Sequence, residues 1–191
     1  MPAVSVHAAT VLLMYGVLPV WILAGFVDYF CHRASHIEKT SGPSETAMHL
    51  LQFGLIGIPT VIALLFEINA GFFLLATIAM LLHHGVAYID VRYANQTREV
   101  SPFEQMVHSF LEVLPIAAVL LLAVLHWPQV LVLVGGPAQP DSFGFRLKSH
   151  PLPAWYVVGA ITAAGVFNAV PYLEELVRCL RAAPTRAEAH R

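Results

Sequence analysis

Five apolar runs, at about residues 10–30, 48–66, 70–87, 110–125 and 152–173, dominate this 191-residue chain. Each approaches the ~20 residues that a helix needs to cross the hydrocarbon core of a bilayer. Lipid offers no partner to a backbone N–H or C=O, so such runs must satisfy their own backbone as helices. The expected fold is therefore all-α: a polytopic membrane helical bundle of about five transmembrane helices, forming one integral-membrane domain over residues 1–191. Composition agrees, with 58% hydrophobic and 12% charged residues, where soluble domains carry about 25% charged. Residues 127–136 are apolar but too short to cross, and with Pro128 they read as an interfacial or re-entrant continuation. The first ten residues hold no Lys or Arg. They lack the basic start of a cleaved signal peptide, and the first run is expected to remain a helix.

Five crossings send the connections after the first and third runs, and the C-terminal tail, to one face. That face holds Arg33, Lys39, Arg92, Arg98, Arg178, Arg181, Arg186 and Arg191, against Arg146 and Lys148 on the other. The positive-inside rule then predicts a multi-pass protein with this face and the C-terminus in the cytoplasm. Orientation and contact with anionic membrane lipids account for these cations. A grip on a substrate head group by Arg92 or Arg98 is the alternative. The two cysteines, Cys31 and Cys179, imply no disulfide framework, and Cys31 reads as a small filler rather than a ligand.

The histidines are not scattered at random. His32, His36, His49, His83, His84 and His108 all fall at the cytoplasmic ends of the first four helices, while His7, His126, His150 and His190 lie apart. Carboxylates share this geography. Asp28, His32 and His36 are four apart, as are Glu45 and His49, and as are Glu104, His108 and Glu112; His83 and Asp90 are seven apart. Each spacing puts its residues on one helix face. Helices one and three arrive at this face and helices two and four leave it, so the rows meet at one depth in a bundle.

Packing alone does not explain that convergence, because an ionisable side chain costs about 2.5–3.5 kcal/mol near the bilayer centre. A metal compensates by taking neutral imidazole and anionic carboxylate as ligands. One zinc needs about four ligands, and the inventory here is larger, so two metals with outer partners are expected. The candidate ligands are His32, His36, His49, His83, His84, His108, Asp28, Glu45, Asp90, Glu104 and Glu112. Glu104 has a competing role, since Ser101-Pro102-Phe103-Glu104 reads as a capping box. Glu38 and Glu99 read as solvated, and so do Glu174 and Glu175, with support of the site from the last helix as the alternative for these two.

The pair His32-x-x-x-His36, with His83-His84 on a later helix end, resembles the histidine boxes of integral-membrane di-iron hydroxylases and desaturases. The likeness covers these short motifs and the topology rather than the whole chain. That family repeats the His-His pair, whereas this chain has one and offers carboxylates at helical spacing instead. The resemblance implies two iron ions, dioxygen chemistry on an apolar or lipid-like substrate from the bilayer, and a separate cytoplasmic electron donor. No flavin, haem-attachment or iron–sulfur motif is visible to supply electrons internally.

Two other readings stay open at this point. A zinc-dependent membrane hydrolase would use one zinc to activate water, with Glu45 or Glu112 as general base. A haem or metal-binding membrane protein without catalysis is the other. No phosphate-binding loop, dinucleotide fingerprint or Ser-His-Asp arrangement stands out, and no basic patch with interleaved aromatics suggests nucleic acid.

Overall fold

The computed structural model describes the backbone of residues 3–189 and the side chains of residues 6–183. Helices α1 (Val6–Ala34), α2 (Pro43–Leu65), α3 (Ala70–Thr97), α4 (Pro102–Leu125) and α6 (Ala154–Ala183) are each long and apolar enough to cross a membrane. The short α5 (Trp127–Leu133) follows α4 directly and packs on α3 and α4. No sheet forms among the described residues; Phe66 and Leu147 make one isolated antiparallel bridge.

Local chemistry fixes the helix ends. Gly42, at φ 72, takes a left-handed turn that other residues resist, and Pro43 then opens α2. Asn69 caps α3 by accepting the Phe72 N–H at 3.0 Å, and Ser101 caps α4 by accepting the Glu104 N–H at 3.1 Å. Prolines leave a mark inside two helices. Single π turns at Leu13–Val17 and Gly165–Ala169 each end two residues before a proline, Pro19 and Pro171. A proline has no N–H for the carbonyl four residues back, and the wider turn accommodates its ring.

All of these helices outrun the apolar segments that announce them. α3 continues to Thr97, α4 starts at Pro102, α2 starts at Pro43 and α6 reaches Ala183. The acids and histidines near the apolar boundaries are consequently helical, and their four-residue spacing operates in three dimensions.

The five long helices close into a ring. α2 packs on α3 and α6, α6 on α1, α1 on α4, and α4 on α3. Outward faces are apolar, with Leu23, Ile58, Leu81, Leu120 and Val158 all more than half exposed, as suits a lipid solvent. Inside, Trp21, Ile22 and Ile56 form the central apolar layer, and Ile68, Phe72, Phe73 and Ala76 form a second near the α2–α3 turn. Gly25 lets α1 and α6 approach, since a Cβ there would lie 2.2 Å from Asn168 Nδ2. Asn168 in turn donates to the Ile22 carbonyl at 3.0 Å.

At the end with the α2–α3 turn, the connection between α5 and α6 folds back and is pinned by backbone bonds. The N–H of Lys148 donates to the Leu65 carbonyl, that of Glu67 to Arg146, and that of Gly71 to Ser142. The opposite end of the ring gathers the buried polar residues.

Candidate metal centre

Each long helix contributes a carboxylate or imidazole to one buried cluster. α1 supplies Asp28 and His32 from its last turns, α2 Glu45 and His49 from its first turns, α3 Asp90, α4 Glu104 and His108, and α6 Glu175. All but His108 are at least 94% buried.

Glu175 organises the centre. One carboxylate oxygen takes His32 Nδ1 at 3.0 Å and the other takes His49 Nδ1 at 3.1 Å. A carboxylate only accepts, so both Nδ1 atoms carry the proton and both Nε2 atoms of the neutral rings present a lone pair. Those lone pairs face more acceptors. His32 Nε2 lies 3.4 Å from Asp28 Oδ2 and 3.6 Å from Glu104 Oε1; His49 Nε2 lies 3.2 Å from Asp90 Oδ2 and 3.8 Å from Glu45 Oε1. Neither Nε2 has a hydrogen-bond partner and neither does Asp90 Oδ1, while Asp28 Oδ1 faces His108 Nε2 at 3.0 Å.

Acceptor against acceptor in a buried site calls for a proton or a metal cation between them. Protons on both rings would make two imidazoliums, but the rings stack with centroids 4.2 Å apart and planes within 8°, a poor arrangement for like charges. A metal ion fits better, because it takes the lone pairs as they stand and unites the carboxylates. Two groups have donor atoms within 4.8 Å of one another: Asp28, His32, Glu104 and His108 in one, and His32, Glu45 and His49 in the other. Asp90 adjoins the second through His49.

Charge supports the same conclusion. Five buried carboxylates stand against the single guanidinium of Arg98, a formal −4 with neutral imidazoles. Two divalent cations carry that charge with opposite sign. Arg98, in the α3–α4 turn, reaches between α2 and α4 and donates at 2.5 Å to both Glu45 Oε1 and Glu104 Oε1. Burial opposes its charge, but the hydrogen bonds it donates to Glu104 and Glu45 outweigh that and hold the guanidinium above its ordinary pKa.

The structure does not bring every sequence candidate to this point. α1 ends at Ala34, and His36 sits in the following turn at φ 50 with its side chain 65% exposed. Helical spacing therefore stops before it, and His32 and His36 share no face. His83 is buried, with Nδ1 on the Gln52 carbonyl at 3.3 Å, and His84 Nδ1 donates to the Met80 carbonyl at 2.7 Å. Both belong to α3 about two turns from Asp90 and join neither metal-competent group. Glu112 is half-buried and lines the small pocket above the cluster along with His83, Asp90 and His108. Cys31 and Cys179 stay outside; Cys179 packs on Thr46.

Two members escape sequence reasoning. Glu175 reads there as solvated but is fully buried, while its neighbour Glu174 is the exposed one, paired with Arg33. The row Asn168, Tyr172, Glu175, Cys179, at spacings of four, three and four, is a buried helical stripe that would have marked it. Arg98 reads as an orienting surface cation and is instead a buried counter-charge, for which sequence gives no local signal. In comparisons with protein-family models, curated proteins and solved structures, none matches this chain.

Proposed function

We propose that this chain is a membrane-embedded di-metal oxidoreductase, with two irons, that uses dioxygen to hydroxylate or desaturate an apolar, lipid-like substrate. The observation that carries the reading is the pair of Nε2 lone pairs, locked in place by Glu175 and faced by four buried carboxylates. Asp28, His32, Glu104 and His108 would hold one ion, and Glu45, His49 and Asp90 the other. A donor set of imidazole and carboxylate without thiolate suits iron, and bound iron would supply the oxygen activation.

The residues of the chain have their own tasks. Glu175 sets the tautomer and angle of both histidines. Gln52 donates to Asp90 Oδ2 at 2.8 Å and holds that carboxylate toward His49. Trp21, Phe53 and Leu111 wall the pocket above the cluster with apolar surface, which keeps water from the reacting carbon. Hydroxylation consumes one dioxygen, two electrons and two protons per C–H bond and releases one water; desaturation releases two. The electrons come from a separate donor at the cytoplasmic face, where the basic connections lie.

Haem is disfavoured by geometry, since His32 and His49 stack directly and leave no gap for a porphyrin between opposed nitrogens. Elemental analysis with an optical spectrum on detergent-purified protein tests the rest. The expected outcome is about two metal ions per chain, identified as iron, lost in His49→Ala and His108→Ala and retained in His36→Ala. One zinc per chain would move the reading to hydrolysis with Glu112 as general base. No metal in wild-type protein would sink the proposal.

A further inference from the structure

A second cavity lies between the helices, away from the polar cluster. It encloses ≈ 240 Å³ and runs along α1 from Thr10 to Trp21, about 16 Å at the rise of an α-helix. Its walls are almost wholly apolar, from Leu18, Ile56, Phe72 and Leu114 among others. Its two ends differ. The outer end, at the face opposite the cluster, is marked by His126 and Lys148. The inner end is Trp21, which also lines the pocket above the metal ligands.

Both ends carry unspent polar capacity. Lys148 is half-buried, and among the described residues no carboxylate lies within ion-pair distance of its amine; burial pushes its pKa down, with the charge of Glu67 only partly opposing. A cation held in that state gains from an anion brought to it. Trp21 is 92% buried, and its indole N–H has no acceptor, a costly omission for a buried donor. The cluster end, its carboxylates balanced by Arg98 and the proposed metal, offers an anionic head no free cation among the described residues that line its pocket, while Lys148 offers one.

We infer that this cavity takes a single-chain anionic amphiphile, with its acidic head at Lys148 and its distal carbons at Trp21, beside the metal pocket. As the substrate class of the oxidation it rests on the function proposed above. The polarity of the ligand is set by Lys148 at one end, and the ≈ 240 Å³ between the helices suits a single chain. An oxygen on the distal part of that chain would give the Trp21 N–H the acceptor it lacks.

Fluorescence quenching reads the orientation directly. The full chain with Trp127→Phe and Trp155→Phe, leaving Trp21 as sole tryptophan, is placed in phosphatidylcholine vesicles and titrated with long-chain fatty acids brominated near the tail end or near the carboxylate. Saturable quenching by the tail-brominated acid, with little from the other, is expected. Half-saturation should rise about tenfold in Lys148→Gln, the value of a charge-assisted contact, and stay near wild type in Lys148→Arg. Stronger quenching by the carboxylate-proximal bromine, quenching that never saturates, or indifference to Lys148→Gln would each overturn the inference. The titration is run on the protein as purified, with metal analysis of the same preparation. Saturable quenching in protein that carries no metal as purified would fail the function alone, and metal without saturable quenching would fail the inference alone.

Discussion

Glu175 accepts from two imidazoles at once, and an amide in its place can accept through only one oxygen. Glu175→Gln should therefore release one histidine and weaken metal binding about 10–100-fold, read by titration against a competing chelator. Arg98 is the opposite case, a cation whose loss leaves Glu45 and Glu104 facing one another in a buried site. In metal-free protein, Arg98→Gln should cost about 3–5 kcal/mol, visible as a lower thermal midpoint in detergent. Gly25 is constrained by contact rather than by φ. Gly25→Ala would drive a methyl into Asn168 Nδ2 and should destabilise by about 1–3 kcal/mol, whereas Gly54→Ala, with nothing within 4 Å, should be neutral or slightly stabilising in the same melt.

At the scale of elements, the α2–α3 turn is held by a carboxylate. Glu67 accepts the backbone N–H and the hydroxyl of Ser149, both at 2.7 Å. The backbone bond first, then the hydroxyl, hold its carboxyl below the ordinary value of 4.5. A lowered carboxyl pKa stabilises the folded state above the unfolded pKa, and that gain fades as pH falls through the folded one. Replacing Glu67 with Gln should therefore lower the melting temperature at neutral pH and make progressively less difference below about pH 4.5. The group is exposed enough that the neutral-pH effect should stay within about 1 kcal/mol. The capped helix start at Ser101, with Pro102 after it, was readable in the chain, but only half of the capping box forms, since the Glu104 carboxylate accepts from Arg98. The end of α1 before His36 was not, because no proline or glycine stands there to announce it.

For the molecule as a whole, orientation remains the property that matters most for partners. Cations concentrate at the cluster end, with Arg33, Lys39, Arg92, Arg98, Arg178 and Arg181 there and only Arg146 and Lys148 opposite among residues 6–183. A C-terminal reporter fusion should accordingly be active in the cytoplasm, and a reporter inserted in the connection after α5 should be active on the other side. The opposite pattern would put the metal ligands away from cytoplasmic electron donors and would count against the proposed reaction.

Hydropathy determined the helical class and the number of crossings, since a bilayer leaves the backbone no other way to satisfy itself. Four-residue spacing likewise put Asp28 with His32, Glu45 with His49 and Glu104 with His108, because those relations are internal to one helix. Only the tertiary structure decided what those rows meet. Closure of the ring carries α6 against α1 and α2, so Glu175 becomes the shared acceptor of two histidines, and it turns Arg98 inward between two glutamates. It also leaves His36 at the surface and His83 and His84 on a neighbouring stretch of α3. A helix's own period fixes which residues share a face, but the rotation of each helix about its axis is set by packing against the others.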